Sequence, residues 1–403
     1  MSAAAQTALA PATAAPRPAP GSRRPVRAAL FSNQYAAASG HGLRRYAMEL
    51  HAALRAEPDL EVTPVAGWTS LPKDALAALR RDTGLRLTGL GRRLTAGAWT
   101  WLDAPPLERL LDFEIDVVHA ASLGYPVATR KPFIVSIHDL GPLTRPEFFR
   151  NTRPWVMRRS LDQAVRRADA IHCVSQSTAD EVCGLVGERI ADRITVIREG
   201  VSERFFEPVA EEKLRGLDLP PDGAPFVLCA GKISPRKNVD AVLRAMESLI
   251  DLVPHHLVLV GGDGWDSKAV FEGLRDSRFR ERVRTLGFVD DTQLRALYRR
   301  AAIYVHPSLY EGFGLTVLEA MASGTPVVTS NRSSLPEVAG DAALLVDPTD
   351  VGALADAIGG LCWDPAEAAR LAARGEERAR SFVWSDCARG VARLYRGIAC
   401  ATR

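Results

Sequence analysis

The sequence predicts an α/β protein made of two doubly wound, Rossmann-like domains. Short β-rich runs alternate with helical patterns along the chain, which implies parallel sheets covered by helices. The runs fall into two comparable sets. The length of 403 residues also exceeds what one ordinary hydrophobic core holds, so two domains are the natural division.

Twelve candidate strands define the two sets. The first set comprises 26–31, 62–66, 116–120, 133–138, 170–174 and 194–197, and the second comprises 226–230, 257–260, 283–286, 303–306, 327–329 and 343–346. A proline-rich stretch from 203 to 225 separates the two sets. We therefore expect a disordered Ala- and Pro-rich tail over 1–24, a first domain over 25–203 and a second over 204–383. The segment 384–403 reads as a helix with one apolar face, which is available to dock on the first domain.

Composition narrows the functional classes. The net charge of +3 is too small to argue for nucleic-acid binding. The six cysteines form no Cys-x-x-Cys pair, so free thiols in a reducing compartment are expected. No apolar run reaches the roughly 20 residues that span a bilayer, and the N-terminus does not read as a signal peptide. Together these features predict a cytoplasmic protein.

The most informative segment is 311–324, which predicts a glycine loop followed by a helix. It comes after the predicted strand 303–306, and Gly312 and Gly314 stand just before the helical pattern. A helix start of this kind offers backbone N–H groups and a positive dipole end to phosphate or pyrophosphate. Glu311 and Glu319 would repel phosphate, so their partners are expected to be neutral hydroxyls. The arrangement points to a sugar nucleotide.

A basic loop follows strand 226–230. Lys232, Arg236 and Lys237 stand within six residues there, and such cations can stabilise a departing diphosphate. A solvated basic surface loop remains the alternative interpretation. The glycine-rich turn 261–264 permits close backbone approach to a ligand, or is simply a flexible turn.

Two segments of the first half also follow strands. The segment 39–42, which ends at Gly42, repeats the anion-friendly geometry, unless it is a plain βα loop. His138 ends the strand 133–138, where an imidazole can bind a sugar hydroxyl or relay a proton. A satisfied histidine at a strand end is the equal alternative. Signatures of P-loop, HExxH, nucleophile-elbow and metal-binding proteins do not occur in the sequence.

These segments, in this order, resemble the retaining nucleotide-sugar glycosyltransferases of family 4, which have the two-domain GT-B fold. Glu311 and Glu319 match the family's E-x7-E pair, and 235–238 matches its phosphate-binding loop. The segments 287–298, 333–338 and 345–348 also resemble family motifs, as do 40–46, 138–140 and 174–175 in the first half. At 198–200 the chain reads Arg-Glu-Gly, where relatives often show Pro-Asn-Gly.

The resemblance implies a role for each matching position. The diphosphate is expected to contact Lys237, Lys232 and Gly42, and the backbone amides of Gly314 and Leu315. Glu319 would hold the ribose, and Glu311 would lie near the hydroxyls of the transferred sugar. His138 would approach the far side of that sugar. Glu311, Lys237 and His138 are accordingly the expected catalytic residues.

The same resemblance implies a mechanism and a donor. We expect front-face displacement without a metal ion, because Lys237 and Lys232 supply the positive charge. The sequence 137–140 looks most like that of members that transfer mannose, which favours GDP-mannose over UDP-glucose, UDP-N-acetylglucosamine or dTDP-rhamnose. The acceptor is expected to be a glycan or a lipid-linked glycan.

Two further questions stay open in the sequence. Arginines between 80 and 93 precede Trp99 and Trp101, which suits either peripheral contact with an anionic membrane or a solvated basic surface. The functional alternatives are a GT-B nucleotide-sugar epimerase and a non-catalytic sugar-nucleotide-binding protein.

Overall fold

The structure of the protein is a computed structural model that describes residues 24–37, 42–89, 91–124, 126–149, 153–262 and 267–401. Almost all of the predicted tail lies outside these ranges. So do 39–41 of the first glycine segment and 263–264 of the second.

The predicted pair of parallel sheets is confirmed. The first sheet has seven strands: β1 (Val26–Phe31), β2 (Leu60–Ala66), β3 (Arg86–Leu87), β4 (Val117–Ala120), β5 (Phe133–Ile137), β6 (Ala170–Cys173) and β7 (Ile194–Val196). Their order is β3-β2-β1-β4-β5-β6-β7, and every pairing is parallel. All six predicted strands of this half exist, with ends displaced by at most two residues.

The second sheet has six strands: β8 (Phe226–Ala230), β9 (His256–Val260), β10 (Val283–Thr285), β11 (Ile303–His306), β12 (Val327–Ser330) and β13 (Leu344–Val346). Their order is β10-β9-β8-β11-β12-β13, again with parallel pairing throughout. In each sheet the order reverses once, between β1 and β4 and between β8 and β11. This reversal is the hallmark of a doubly wound sheet.

Helices cover both faces of each sheet. They are α1 (Gly42–Leu54), α2 (Lys73–Thr83), α3 (Arg92–Trp101), α4 (Gly141–Thr144), α5 (Pro154–Arg167), α6 (Gln176–Val186), α7 (Val239–Ser248), α8 (Ser267–Asp276), α9 (Asp291–Arg300), α10 (Leu315–Ala322), α11 (Leu335–Ala339), α12 (Val351–Trp363), α13 (Pro365–Ala379) and α14 (Trp384–Ala401). Alternate residues of a strand enter opposite cores. Ala28 and Leu30 pack on one side of the first sheet, and Ala29 and Phe31 on the other.

The C-terminal helix α14 returns to the first sheet. The chain crosses back beside its outgoing linker, where Val201 and Val383 form a parallel bridge and the Val201 amide donates to the Phe382 carbonyl at 2.9 Å. Tyr395 of α14 is fully buried, and its hydroxyl lies 2.8 Å from Nδ1 of His119 on β4. We call the first sheet with its helices, α14 included, the first lobe, and the second sheet with its helices the second lobe.

Two local features were not predicted from the sequence. The strand β3 was not predicted, because two residues carry no periodic pattern. Trp99 and Trp101 do not share a surface. Trp99 is buried and donates its indole N–H to the Pro105 carbonyl at 2.8 Å, whereas Trp101 is 64% exposed.

Candidate functional site

The predicted site residues of the second lobe gather where its strand order reverses. The loop after β8 carries Lys232 and Lys237, and the loop after β11 carries Glu311. Because β8 and β11 are neighbours, their two loops leave the sheet side by side at its carboxyl edge. Ligands of open α/β sheets bind at this topological position.

Glu311 is the centre of a buried ion-pair cluster. One carboxylate oxygen lies 2.6 Å from Nζ of Lys237 and 3.1 Å from Nε2 of His306, while the other lies 2.7 Å from the Arg236 guanidinium. Gly231 permits this arrangement, since a Cβ there would lie 3.3 Å from Cε of Lys237. The lysine side chain therefore passes directly over the end of β8.

The electrostatics of this cluster suit an anion. Burial raises the pKa of Glu311, but the charges of Arg236 and Lys237 outweigh burial and hold that pKa well below its ordinary value. Burial, together with the charge of Lys237, lowers the pKa of His306 to about 4. At neutral pH the cluster thus holds two cations, one carboxylate and a neutral histidine, which leaves one positive charge in excess within the second lobe.

The helix α10 presents its N-terminus next to this cluster. Its N-cap is Gly314, which has a positive φ of 121° and no side chain to bond the amides of the first turn. A Cβ on Gly314 would come within 2.9 Å of Leu335. Glycine is therefore required here both by backbone conformation and by space. The amides of Leu315 and Thr316 precede the first bonded amide, that of Val317, and are left to an external acceptor.

Glu319 lies one turn into α10 and is 1% exposed. The Tyr298 hydroxyl donates to one of its oxygens at 3.3 Å, and the guanidinium of Arg45 donates to the other. Arg45 belongs to α1 of the first lobe and also pairs with Asp291 at 2.6 Å. The predicted ribose-binding carboxylate is therefore already engaged by a cation from the opposite lobe.

The glycine loop of the second lobe packs tightly against the first lobe. A Cβ on Gly312 would lie 2.8 Å from the carbonyl carbon of His138 and closer still to its oxygen. The hydroxyls of Ser175 and Thr178 lie 2.8 and 3.2 Å from the Gly312 carbonyl oxygen, to which they donate. Beside it, the Tyr310 hydroxyl accepts from the Leu140 amide at 3.1 Å. Gly312 thus lies at a close backbone contact between the lobes.

His138 lies directly after β5, at this seam. Its ring does not present a free nitrogen, because Nδ1 lies 2.9 Å from Glu199 and Nε2 lies 2.9 Å from the Ala121 carbonyl oxygen. The structure thus gives His138 two protein partners, as the satisfied-histidine alternative supposes. Contact with a sugar hydroxyl would require one of these partners to be exchanged.

The remaining predicted positions lie farther from the cluster. Lys232 is exposed on the loop after β8. Gly42 is the exposed first residue of α1, three residues before Arg45. The structure therefore brings Lys237, Glu311 and the start of α10 together, with His138 across the seam.

Two side chains of the site were missed from the sequence. His306 ends β11 and contacts Lys237 and Glu311, so the strand-end argument applied to His138 would have found it. Arg45 carries no comparable signal, because its partner Glu319 is 274 residues away along the chain.

Neither a metal site nor a membrane span is found in the part of the chain that the structure describes. No group of three or more His, Cys, Asp or Glu side chains there is arranged to hold a metal ion. No helix there is long and apolar enough to cross a bilayer.

Comparison with known proteins decides the family. Residues 40–205 match the family described as Glycosyltransferase Family 4, and residues 211–378 match that described as Glycosyl transferases group 1. The O-antigen chain mannosyltransferase B of Escherichia coli is 33% identical over 283 residues, which cover 69% of this chain and 73% of the relative. This chain belongs to glycosyltransferase family 4. It is accordingly a retaining glycosyltransferase that takes its sugar from a nucleotide sugar, rather than an epimerase or a sensor.

Other similar proteins share the architecture but have names that indicate different activities. A glycogen synthase of Mycobacterium tuberculosis is 33% identical over 320 residues, covering 77% of this chain and 72% of its own. Sucrose-phosphate synthase of Thermosynechococcus elongatus superposes with a TM-score of 0.72 at 24% identity, over 93% of this chain and all of that one. Anabaena HepE, solved with UDP and glucose, gives 0.73 at 18% identity over 92% and 100%. These structures confirm the GT-B fold of the family 4 chain.

Proposed function

We propose that this family 4 enzyme transfers a mannosyl group from GDP-mannose to a hydroxyl of a glycan or lipid-linked glycan. The observation that carries the proposal is the Lys237–Glu311 pair, 2.6 Å apart where the second sheet reverses its order. A cation and a carboxylate side by side match the two ends of a glycosyl diphosphate, one anionic and one rich in hydroxyls.

Each neighbouring group has a proposed role in donor binding. Lys237 and Lys232 bind the diphosphate, together with the N-terminal amides of α10 at Gly314 and Leu315. Gly42 leaves room for the diphosphate at the start of α1. Glu319 accepts hydrogen bonds from the ribose once Arg45 has moved away from its carboxylate.

The proposed mechanism is front-face displacement. The bond between the anomeric carbon and the phosphate oxygen breaks, the acceptor oxygen bonds to that carbon on the same face, and the acceptor proton passes to the leaving phosphate oxygen. A double displacement would need a free carboxylate as nucleophile on the other face. The main evidence against it is that both Glu311 oxygens are held by cations, Lys237 on one and Arg236 on the other. Glu311 is instead placed to position the sugar and the two cations.

The donor is supported by similarity rather than by a contact. The mannosyltransferase relative favours mannose, and the local sequence 137–140 agrees with it. The glycogen synthase relative has the same 33% identity, which makes a glucosyl donor the second candidate. The residues proposed to bind diphosphate and ribose suit either nucleotide.

A thermal-shift screen followed by a hydrolysis assay tests the donor. GDP, UDP, ADP and dTDP would be compared, each alone and as its sugar conjugate. Ligand at 100 times its dissociation constant should add about 2.7 kcal/mol of stability. We expect GDP and GDP-mannose to give the largest shift, and slow donor hydrolysis that is abolished in Lys237→Ala and Glu311→Ala. Preference for UDP or ADP would overturn the donor, and binding without any turnover would overturn the mechanism.

An exposed aromatic surface on the first lobe supports peripheral membrane contact. Trp101 is 64% exposed and Trp155 50% exposed, and their ring centroids are 5.8 Å apart. Leu94 and Leu102 are 70% and 73% exposed, and Arg159 lies over the Trp101 ring at 5.2 Å. Exposed tryptophans and leucines beside an arginine are the composition of an interfacial anchor. We name these five residues the aromatic surface.

Vesicle sedimentation tests this surface. We expect the protein to sediment with phosphatidylglycerol vesicles more than with phosphatidylcholine vesicles, and Trp101→Glu to abolish the difference. Trp363→Glu is the matched control, since Trp363 is 59% exposed on the second lobe. Equal sedimentation of all three proteins would exclude the aromatic surface as the anchor.

We further propose a cytoplasmic location and lobe boundaries near 203 and 383. All six cysteines are free, which supports a reducing compartment. The parallel bridge of Val201 with Val383 lies beside both boundaries and supports them as the positions where the chain passes between lobes. Limited proteolysis would check the boundaries by the fragments it releases.

A further inference from the structure

Glu199 belongs to the Arg-Glu-Gly sequence after β7, and its side chain makes a buried contact with His138. Its side chain is 3% exposed, and one oxygen lies 2.9 Å from Nδ1 of His138. The other ring nitrogen of His138 lies 2.9 Å from the Ala121 carbonyl oxygen. Nε2 therefore faces a group that can only accept a hydrogen bond, and Nδ1 faces a carboxyl group, which can only accept when it is ionised.

With Glu199 as a carboxylate, this geometry selects one protonation state of the ring. A neutral imidazole has one N–H and one lone pair, so it can satisfy only one of the two acceptors. The lone pair would then face either a buried carboxylate or a buried carbonyl oxygen, both of which repel it. The imidazolium donates to both partners, and its charge is compensated by Glu199.

The groups around His138 agree with a charged ring. Burial lowers the pKa of His138, but the hydrogen bond and the negative charge of Glu199 raise it above its ordinary value, helped by Asp139. Burial lowers the pKa of His172 to about 4 and that of His119 well below its ordinary value, so neither competes as a cation at neutral pH. The Tyr46 ring meets His138 edge to face, with centroids 4.4 Å apart.

We infer that Glu199 is a positioning residue that keeps His138 doubly protonated, so that His138 serves this enzyme as a fixed cation and hydrogen-bond donor and not as a base. The charge state stands on these contacts with Glu199 as a carboxylate, and its consequence for the reaction rests on the proposed function. In that reaction the acceptor proton goes to the leaving phosphate oxygen, and His138 neither takes nor gives one.

The position of His138 explains why its charge would matter. Its backbone carbonyl packs against Gly312, and its carbonyl oxygen lies 3.2 Å from the Thr178 hydroxyl. His138 is therefore held in place beside the glycine loop of the second lobe, at the carboxyl edge of the first sheet. The His138–Glu199 pair is neutral overall, so its imidazolium favours the charge that develops on the leaving group in the transition state where the ring lies nearer to that group than the Glu199 carboxylate does.

The charge is measured directly by ¹⁵N NMR of the histidine rings in the full chain. The chain has eight histidines, and the His138 signals are assigned by their loss in His138→Gln. We expect both ring nitrogens of His138 to show imidazolium shifts at pH 7.5. In Glu199→Gln the ring should release its proton at least one pH unit lower, a tenfold loss of proton affinity. A neutral His138 ring in the wild-type protein overturns the inference, even if the variant fails to fold.

The consequence is measured as the pH dependence of donor hydrolysis, with the donor selected in the thermal-shift screen. We expect kcat of Glu199→Gln to fall at alkaline pH at least one unit earlier than that of the wild type. Glu199→Asp keeps the carboxylate and should restore the wild-type profile. Glu57→Gln is the control, because Glu57 is a partly buried carboxylate that pairs with Arg396 at 2.7 Å, away from the site.

The outcomes separate this inference from the proposed function. Parallel shifts in the NMR titration and in the pH profile support both the charge state and its role. An unchanged profile beside a shifted titration overturns the role of Glu199 in the reaction. Absence of turnover with every sugar nucleotide counts against the proposed function, while the NMR titration still decides the charge of His138.

Discussion

Substitution of Gly312 by alanine should impair catalysis while leaving each lobe folded. The added Cβ would lie 2.8 Å from the carbonyl carbon of His138 and closer still to its oxygen. A carbon and a carbonyl oxygen normally stay about 3.3 Å apart, so the seam must widen by more than half an ångström. The glycine loop that contains Gly312 would then be displaced from its contacts with the first lobe.

The size of the effect follows from this displacement. A misplacement of about 1 Å in an active site can cost about 100-fold in rate. We therefore expect kcat/KM for donor hydrolysis to fall by about 10- to 100-fold, equivalent to about 1.4 to 2.7 kcal/mol in the activation free energy. Nucleotide binding should weaken less, since most of the binding groups lie in the second lobe.

The matched control is Gly184→Ala on α6. A Cβ at Gly184 meets nothing within 4 Å, and alanine within a helix should raise the unfolding free energy by about 0.5 to 1 kcal/mol. Its kcat/KM should equal that of the wild type. Wild-type kcat/KM in Gly312→Ala, with an unchanged unfolding midpoint, would refute the idea that contact between the lobes at this glycine organises the site.

Three further predictions concern single side chains. Lys237→Met removes the cation 2.6 Å from Glu311 and should lower the rate of donor hydrolysis about 100- to 1,000-fold. It should also abolish stabilisation by nucleotide in a thermal-shift assay. A loss of hydrolysis rate under tenfold would contradict this prediction. Tyr395→Phe loses the hydrogen bond to His119 and should lower the unfolding free energy in urea by about 1 to 2 kcal/mol, with the KM for donor unchanged. Because the pKa of Glu311 is depressed, the stability it contributes is present above its ordinary pKa of 4.5 and is lost as pH falls towards the depressed value. The unfolding midpoints of wild type and Glu311→Gln should therefore differ most at pH 7 and converge in acid, and a gap independent of pH would contradict this.

The fold could be predicted from the sequence because its signals are local. Each of the twelve predicted strands carries a short β-rich run, and the structure contains a strand at each of them. The E-x7-E pair and the basic loop are also local, and their position after strands already implied that they would meet. The position of these residues after strands did not predict which residues of the two lobes contact each other.

Contacts between segments that are far apart along the chain could not be predicted from the sequence. Arg45 and Glu319 form a pair although they are 274 residues apart, and the apolar pattern of neither helix indicates this contact. Glu199 was visible only as a departure from a family motif, because its partner His138 lies 61 residues earlier. Side-chain protonation depends on such three-dimensional neighbours, so the fixed charge of His138 could not be foreseen.

The return of α14 to the first lobe has a consequence for synthesis of the protein. The first lobe is discontinuous in sequence, since the residues that fill its core next to β1 and β4 include Trp384, Val391 and Tyr395. During translation the N-terminal sheet emerges long before these residues do, with part of its apolar face still uncovered. The second lobe, which is continuous, can complete its core first. The nascent first lobe therefore exposes apolar surface that α14 later covers, and it stays prone to aggregation until α14 leaves the ribosome.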